Sequence, residues 1–271
     1  MTTITSRQHA VVARFRAAAR RDDEDVLLLD GVHVIADAVA AGVRIEQVAI
    51  TAGARDDPEV RPLLDLLARA GAAVTIASPP VMDAISPVRS SSAIAALAKR
   101  PIVASDAVYT GAHTFLLIVV DVQDPGNTGA IIRVAEAGGA TGVIASGATA
   151  DPFGWKALRG SMGSALRLPV VRASVSTDTI AEARRHGCRV IATVPRDGRP
   201  LYEVDFSGPV AILIGGEGHG LAPALVDTAD ERVSIPMQPP VESLNAAVTA
   251  GLIVYEAHRQ RMATKTRKHE T

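Results

Sequence analysis

The chain has 271 residues, 48% hydrophobic and 21% charged. This is a globular composition that excludes a disordered or fibrous polymer and fits one large domain or two modest ones. Its longest apolar runs are strand-sized and exclude a membrane-spanning helix. No apolar core of a secretory signal is evident at the N-terminus, and a single cysteine, Cys188, excludes an internal disulfide, so a cytoplasmic protein is expected.

A formal net charge of −1 argues against a uniformly basic nucleic-acid binder. The charge is unevenly spread, however. Arg7, Arg14, Arg16, Arg20 and Arg21 precede the first acidic residue, and Arg259, Arg261, Lys265, Arg267 and Lys268 face only Glu270 at the other end. Such ends either reach phosphates or are solvated tails. The Arg7–Arg21 stretch reads equally as a helix or a frayed terminus.

Strand-like and helix-like segments then alternate. Val26–Leu29 reads as a buried strand, Val32–Ala41 as a helix and Val48–Ile50 as a strand. Glu59–Ala70 is a helix with Leu63, Leu64 and Leu67 on one face, and Val74–Ala77 is a strand. A Ser/Pro-rich stretch, Ser78–Ser92, leads to apolar Ile94–Leu97 and closes a first α/β unit near residue 100. Residues 99–113 read as a connection. Phe115–Val122 opens a second unit with the unbroken apolar run of a central parallel strand. Further strands are predicted at Gly142–Ser146, Pro169–Arg172, Arg189–Val194, Val210–Gly215 and Arg232–Pro236. Helices are predicted at Gly129–Ala137, Thr177–His186 and Leu244–Arg261. This alternation predicts a parallel sheet covered on both faces.

Three stretches at strand ends carry chemistry. In the first, Asp121–Arg133, the sequence Asp124-Pro125-Gly126 is turn-forming, Asn127 is a natural N-cap, and Arg133 lies about one and a half turns into the helix that follows. Ligands of open α/β sheets gather at such strand ends, although a capped helix with a surface arginine explains the same residues. The second, Gly215–Gly220, has Leu221 where a dinucleotide fingerprint needs its third glycine, and it lacks the Gly-Lys-Ser/Thr of a P-loop. A nicotinamide enzyme or an NTPase is therefore disfavoured. Glu217 would repel a phosphate and suits a cationic or hydroxyl-bearing ligand, while His219 reads either as a base or as an incidental loop residue. The third, Ile235–Asn245, runs into a helix, and no charge occurs from Ser243 to Tyr255. That pattern predicts a helix buried on most sides, with Ala246, Ala247, Ala250 and Gly251 allowing close packing and a subunit interface as one cover. Ser243 and Asn245 stand at its start, where free N–H groups gather, either as a plain cap or as part of a site.

Together the three stretches resemble the SpoU/TrmH family of RNA ribose 2′-O-methyltransferases in the SPOUT superfamily. They match N-x-G-x-x-x-R at Asn127, Gly129 and Arg133, and G-x-E-G-x-G-L at Gly215, Glu217, Gly218, Gly220 and Leu221. The third motif, I-P-M…E-S-L-N…A-G…Y-E, is matched from Ile235 to Glu256. The first unit is similar, through Leu27–Ile35, to the smaller RNA-binding domain of rRNA-directed members, with Asp30-Gly31 where that family usually has Glu-Gly. The resemblance implies an RNA substrate-binding α/β domain over residues 1–105 and a catalytic domain over 106–271. It further implies a SPOUT-type parallel sheet with a C-terminal trefoil knot, and a homodimer packed through the knotted region.

The implied donor is S-adenosylmethionine, whose methyl transfer needs no metal, and the implied acceptor is a ribose 2′-hydroxyl of structured RNA. The first unit favours rRNA over tRNA. The resemblance points to Arg133 as the group that activates the hydroxyl, although a guanidinium is an unusual base. Asn127, Ser243 and Asn245 would hold Arg133 and the ribose, and Glu217 would fix that network or meet the backbone of the third motif. Thr193, Gly215, Gly218, Ile235, Met237 and Leu244 would surround the donor. The rival readings are a catalytically inactive RNA-binding homologue, which would lack Arg133 or Asn245, and a nucleotide-dependent oxidoreductase.

Overall fold

The computed structural model describes residues 2–88, 91–174 and 176–269, the side chains of 265–269 excepted. Arg89 and Ser90 of the Ser/Pro-rich stretch, the side chains of Lys265, Arg267 and Lys268, and Glu270 thus lie outside the described residues. Two compact units form. One holds the residues up to Ile102 together with Phe153–Arg167, and the other holds Val103–Pro152 with the chain from Leu168 onward.

In the first unit, β1 (Thr2–Ile4), α1 (Ala10–Arg20), β2 (Val26–Asp30), α2 (Val32–Ala40), β3 (Ile45–Ile50), α3 (Val60–Arg69), β4 (Ala73–Ala77), α4 (Pro79–Ile85) and β5 (Ile94–Lys99) follow in order. The sheet order is β1-β4-β3-β5-β2. β1, β4 and β3 run parallel, whereas β5 is antiparallel to both β3 and β2. Ile50 pairs with Ile76 near the end of β4 and with Ile94 at the start of β5, so β5 starts at the same end of β3 at which β4 finishes, on its other side. The helix α1 forms because Val12, Phe15 and Ala18 share one buried face, while His9 Nδ1 accepts the Val11 N–H at 3.2 Å. Its arginines stay outside, Arg14 pairing with Glu46 at 3.0 Å and Arg20 with Asp22 at 2.6 Å.

The chain continues through β6 (Phe115–Val120), α5 (Pro125–Ala137) and β7 (Gly142–Ser146). It then supplies two short helices, α6 (Trp155–Ser161) and α7 (Ser164–Arg167), to the first unit. There Trp155 packs against a core containing Phe15, Met82 and Leu97, and Arg167 pairs with Asp37 of α2 at 2.9 Å. The second unit is completed by β8 (Val170–Ala173), α8 (Ser176–Arg185), β9 (Arg189–Thr193), β10 (Arg199–Pro200), β11 (Val210–Gly215), α9 (Pro223–Val226), β12 (Glu231–Ser234) and α10 (Ala246–His269). Its seven strands lie in the order β10-β12-β9-β11-β6-β7-β8, all pairings parallel, as the unbroken apolar runs of β6 and β11 predict.

Packing of α10 on α5 positions the site. Ala250, Ile253, Val254 and Ala257 of α10 are buried, as are Ile131, Ile132 and Ala135 of α5. A methyl group added at Gly138, at the end of α5, would stand 2.0 Å from Cγ1 of Val254. A valine cannot swing away freely. Gly138→Ala is therefore expected to cost about 1–3 kcal/mol of stability, read as a lowered thermal midpoint. An unchanged midpoint would show that the two helices can separate without cost.

Farther along α10, Arg259 donates to the buried carboxyl of Glu256 at 2.7 and 2.9 Å and holds it below the ordinary glutamate range, against the opposing effect of burial and with help from Gln260. Arg261 donates to the carbonyls of His113, Thr114, Phe206 and Gly208, so this member of the basic C-terminal stretch fastens the helix to the sheet. The uncharged start of α10 is only partly covered. Val248, Leu252 and Tyr255 are exposed along one face, with Met262 beyond them. No helix among the described residues is long and apolar enough to cross a membrane.

Candidate active site

Val120, the last residue of β6, pairs with Gly215 of β11 on one side and Ser146 of β7 on the other. From β6 the chain steps to β7 and β8 in one direction, then returns to build β9, β11 and β12 on the other side. Such a switch point opens a crevice at the carboxyl ends of the strands, and each of the three motif-bearing stretches begins at a strand end, after β6, β11 and β12.

The helix α5 begins earlier than its hydrophobic pattern predicts. Asp124, rather than Asn127, is its N-cap, with Oδ1 accepting the Asn127 N–H at 2.8 Å and Pro125 in the first turn. The N-cap expected at Asn127 is therefore corrected, and the side chain of Asn127 is left available for other work. Likewise α10 starts at Ala246 rather than Leu244, and its cap is Asn245, not Ser243. The Asn245 Oδ1 accepts the N–H groups of Ala247 at 2.9 Å and Val248 at 3.3 Å.

That cap sets the direction of a hydrogen-bond chain. With its oxygen committed to the helix, Asn245 donates through Nδ2 to Asn127 Oδ1 at 3.0 Å. Asn127 then has only its own Nδ2 to offer, and this donates to Glu217 Oε1. One residue from each motif is thereby joined.

Beside the chain lies a cavity of about 230 Å³ between the ends of β9 and β11, the 216–221 loop, Ile235, Met237 and the start of α10. Thr193, Gly215, Gly218, Ile235, Met237 and Leu244 all line it, as do Glu217 and Ser243. The backbone folds back tightly here: a Cβ on Gly215 would lie 2.5 Å from Gly220 C and Leu221 N, and Gly218 and Gly220 hold φ of 87° and 62°. Among the described residues on the wall, Glu217 and His219 are the ionisable ones, and no lysine or arginine is present. Thr193 Oγ1 donates to the Leu213 carbonyl at 2.9 Å.

Arg133 is not on this wall. It stands on the exposed side of α5 and has no hydrogen bond or ion pair among the described residues. Sequence reasoning missed Val194, Pro195 and Thr249, which also line the cavity. The signal for the first two was available, since they follow directly on a strand end. Thr249 lies one helical turn beyond Asn245, to whose carbonyl its N–H donates at 2.9 Å.

Comparison with known proteins matches this geometry to a class of enzyme. Residues 114–255 match the SpoU rRNA Methylase family, and residues 28–101 match the domain described as RNA 2′-O ribose methyltransferase substrate binding. The chain belongs to the SpoU rRNA methylase family. It is similar to an uncharacterized tRNA/rRNA methyltransferase of Synechocystis, at 32% identity over 98% of this chain and 97% of that one. It is also similar to the 23S rRNA (guanosine(2553)-2′-O)-methyltransferase RlmP of Bacillus subtilis, at 29% identity over 87% of this chain and 89% of that one. Among solved structures, the AdoMet-bound rRNA methyltransferase from Sinorhizobium meliloti superposes with a TM-score of 0.85 at 28% identity, covering 95% of this chain and 97% of that one.

Proposed function

We propose that this chain transfers a methyl group from S-adenosylmethionine to a ribose 2′-hydroxyl of structured rRNA, with the donor in the cavity and the ribose delivered alongside Asn127 and Arg133. RNA 2′-O-ribose methylation is the reaction of the family to which the chain belongs. The observation that carries the residue assignment is the Asn245–Asn127–Glu217 hydrogen-bond chain, which joins one residue from each of three distant motifs, Glu217 among them lining the cavity.

The walls suit such a donor. Ile214, Leu221, Val233 and Ile235 offer apolar surface for a flat base, and Glu217 offers a negative charge for a cation. The absence of lysine and arginine from the described lining disfavours a phosphorylated cofactor. S-adenosylmethionine supplies, when bound, an activated methyl carbon open to in-line attack. The work left to the protein is alignment and control of charge. In this reading Thr193, Gly215, Gly218, Ile235, Met237 and Leu244 enclose the donor. Asn127, Ser243 and Asn245 position the ribose, Glu217 fixes the Asn127 amide, and Arg133, which has no hydrogen bond or ion pair among the described residues, is left for the RNA to engage. The Arg133 guanidinium orients the RNA phosphate and stabilises the alkoxide that develops as the hydroxyl passes its proton to that phosphate and on to solvent.

The same reading assigns residues 1–105 to RNA binding and 106–271 to catalysis. The substrate-binding match over 28–101 and the outward arginines of α1 support RNA binding by the first stretch, while α6 and α7, within 106–271, pack in the first unit. It includes a cytoplasmic homodimer with a C-terminal trefoil knot. The exposed apolar stripe Val248, Leu252, Tyr255 and Met262 supports a dimer face on α10. Kinship with a 23S rRNA enzyme over most of both chains supports rRNA over tRNA.

The test is transfer of labelled methyl from S-adenosylmethionine to rRNA, tRNA and ribosomal particles kept separate. Label in rRNA or particles that survives alkaline hydrolysis as a resistant dinucleotide is expected. Label confined to tRNA, or label in rRNA without alkaline resistance, would overturn the substrate or the ribose assignment respectively.

A further inference from the structure

Asp121, the residue immediately after β6, belongs to none of the three motifs' functional positions. Its backbone is left-handed, with φ of 56°, a conformation that a side-chain-bearing residue adopts at a cost and that recurs at functional sites. Both neighbouring strand ends close upon it. On the β7 side, Asp121 Oδ1 accepts the Ala148 N–H at 2.7 Å, and a Cβ on Gly147 would fall 2.3 Å from that same oxygen. On the β11 side, a Cβ on Gly216 would fall 2.1 Å from the Asp121 carbonyl oxygen. The Asp121 carboxylate, together with the positive φ of Gly147, requires glycine at 147, the Asp121 backbone requires it at 216, and Gly216 directly precedes Glu217. Three residues after Asp121 comes Asp124, which caps α5 and so sets the position of Asn127.

We infer that Asp121 is a positioning residue for methyl transfer. Anchored to Ala148 and pressed on Gly216, it holds the 121–124 turn and the 216–217 turn in the register that lets Asn127 reach Glu217. The inference rests on the proposed function of that hydrogen-bond chain and adds a residue outside it.

The test compares Asp121→Ala, Asp121→Asn, Asp121→Gly, Asn127→Ala and the double variant Asp121→Ala/Asn127→Ala in the full chain, with kcat and thermal midpoint read for each. Asp121→Ala is expected to lose roughly tenfold to a hundredfold in kcat, the scale of a small misplacement of reacting groups. Asp121→Asn, which keeps both the acceptor and the tolerance for a left-handed backbone, should restore most of the activity. Asp121→Gly takes the same φ without strain, so it should fold like wild type and still lose roughly tenfold because nothing anchors the turn. If Asp121 acts through Asn127, the double variant is no slower than Asn127→Ala alone. Wild-type kcat in Asp121→Gly, or losses that multiply in the double variant, would overturn the inference. Full activity in Asn127→Ala would instead overturn the reading of the site on which it stands.

Discussion

Replacing Arg133 by alanine is expected to slow methyl transfer by about 10²–10⁴-fold while leaving the thermal midpoint and donor affinity unchanged. The two halves of that expectation have separate origins. Arg133 is exposed, has no hydrogen bond or ion pair among the described residues and lies away from the cavity wall, so its removal takes away no native polar contact and no donor contact. Its contribution arises only when an RNA phosphate and a developing alkoxide are present, and an interaction made only in the transition state appears in kcat rather than in binding. Arg133→Lys retains the charge but not the planar fork, and an intermediate rate is expected. Near-normal transfer by Arg133→Ala, with the melting midpoint equally unchanged, would show that the arginine is an ordinary surface residue of α5.

Asn127→Ala should be nearly as damaging, with a loss of about 10²-fold in kcat from misalignment of the reacting groups. The effect on stability should be modest, about 0.5–1.5 kcal/mol, because the capping of both helices survives. Asp124 caps α5 and the Asn245 oxygen caps α10, and neither depends on the Asn127 side chain. What is lost is the link between Asn245 and Glu217: the Asn245 amide, still fixed by its cap, loses its acceptor, and Glu217 loses the donor that fixes its carboxylate. Asn127→Asp is a sharper probe, since it is nearly isosteric but sets a second carboxylate against Glu217. It should be as inactive as the alanine variant, whereas an active Asn127→Asp would mean that contact with Glu217 is dispensable. Rates under single-turnover conditions and melting curves separate these outcomes.

Much of the second unit is legible in the sequence because a buried parallel strand has an unmistakable pattern: Phe115–Val120 and Val210–Gly215 are apolar throughout and lie side by side. Glycine runs flag the tight turns at their ends for the same physical reason, since a Cβ at Gly215 or Gly216 has no room. The direction of β5 is not legible, because an apolar strand reads the same in either orientation. The helices α6 and α7 escape notice since seven- and four-residue segments are too short to show a period, and their cores lie in the other unit. The placement of caps was within reach. Asp124 followed by Pro125 is the stronger helix start, and it competes with Asn127 three residues later. The hydrogen-bond chain itself is beyond any local pattern, since its links span 90 and 118 residues. Only the packing of α5 on α10 and of β6 beside β11 brings those positions together.

The most direct test of the account is a kinetic cycle on Asn127→Ala and Glu217→Ala, each alone and combined, with single-turnover methyl transfer to ribosomal RNA as the readout. If the motifs work as one unit through the Asn127–Glu217 contact, the combined variant is no more than about threefold slower than the slower single variant. Losses that multiply would contradict the account, because they would mean that the two side chains act on the reaction separately and that the hydrogen bond between them has no part in it.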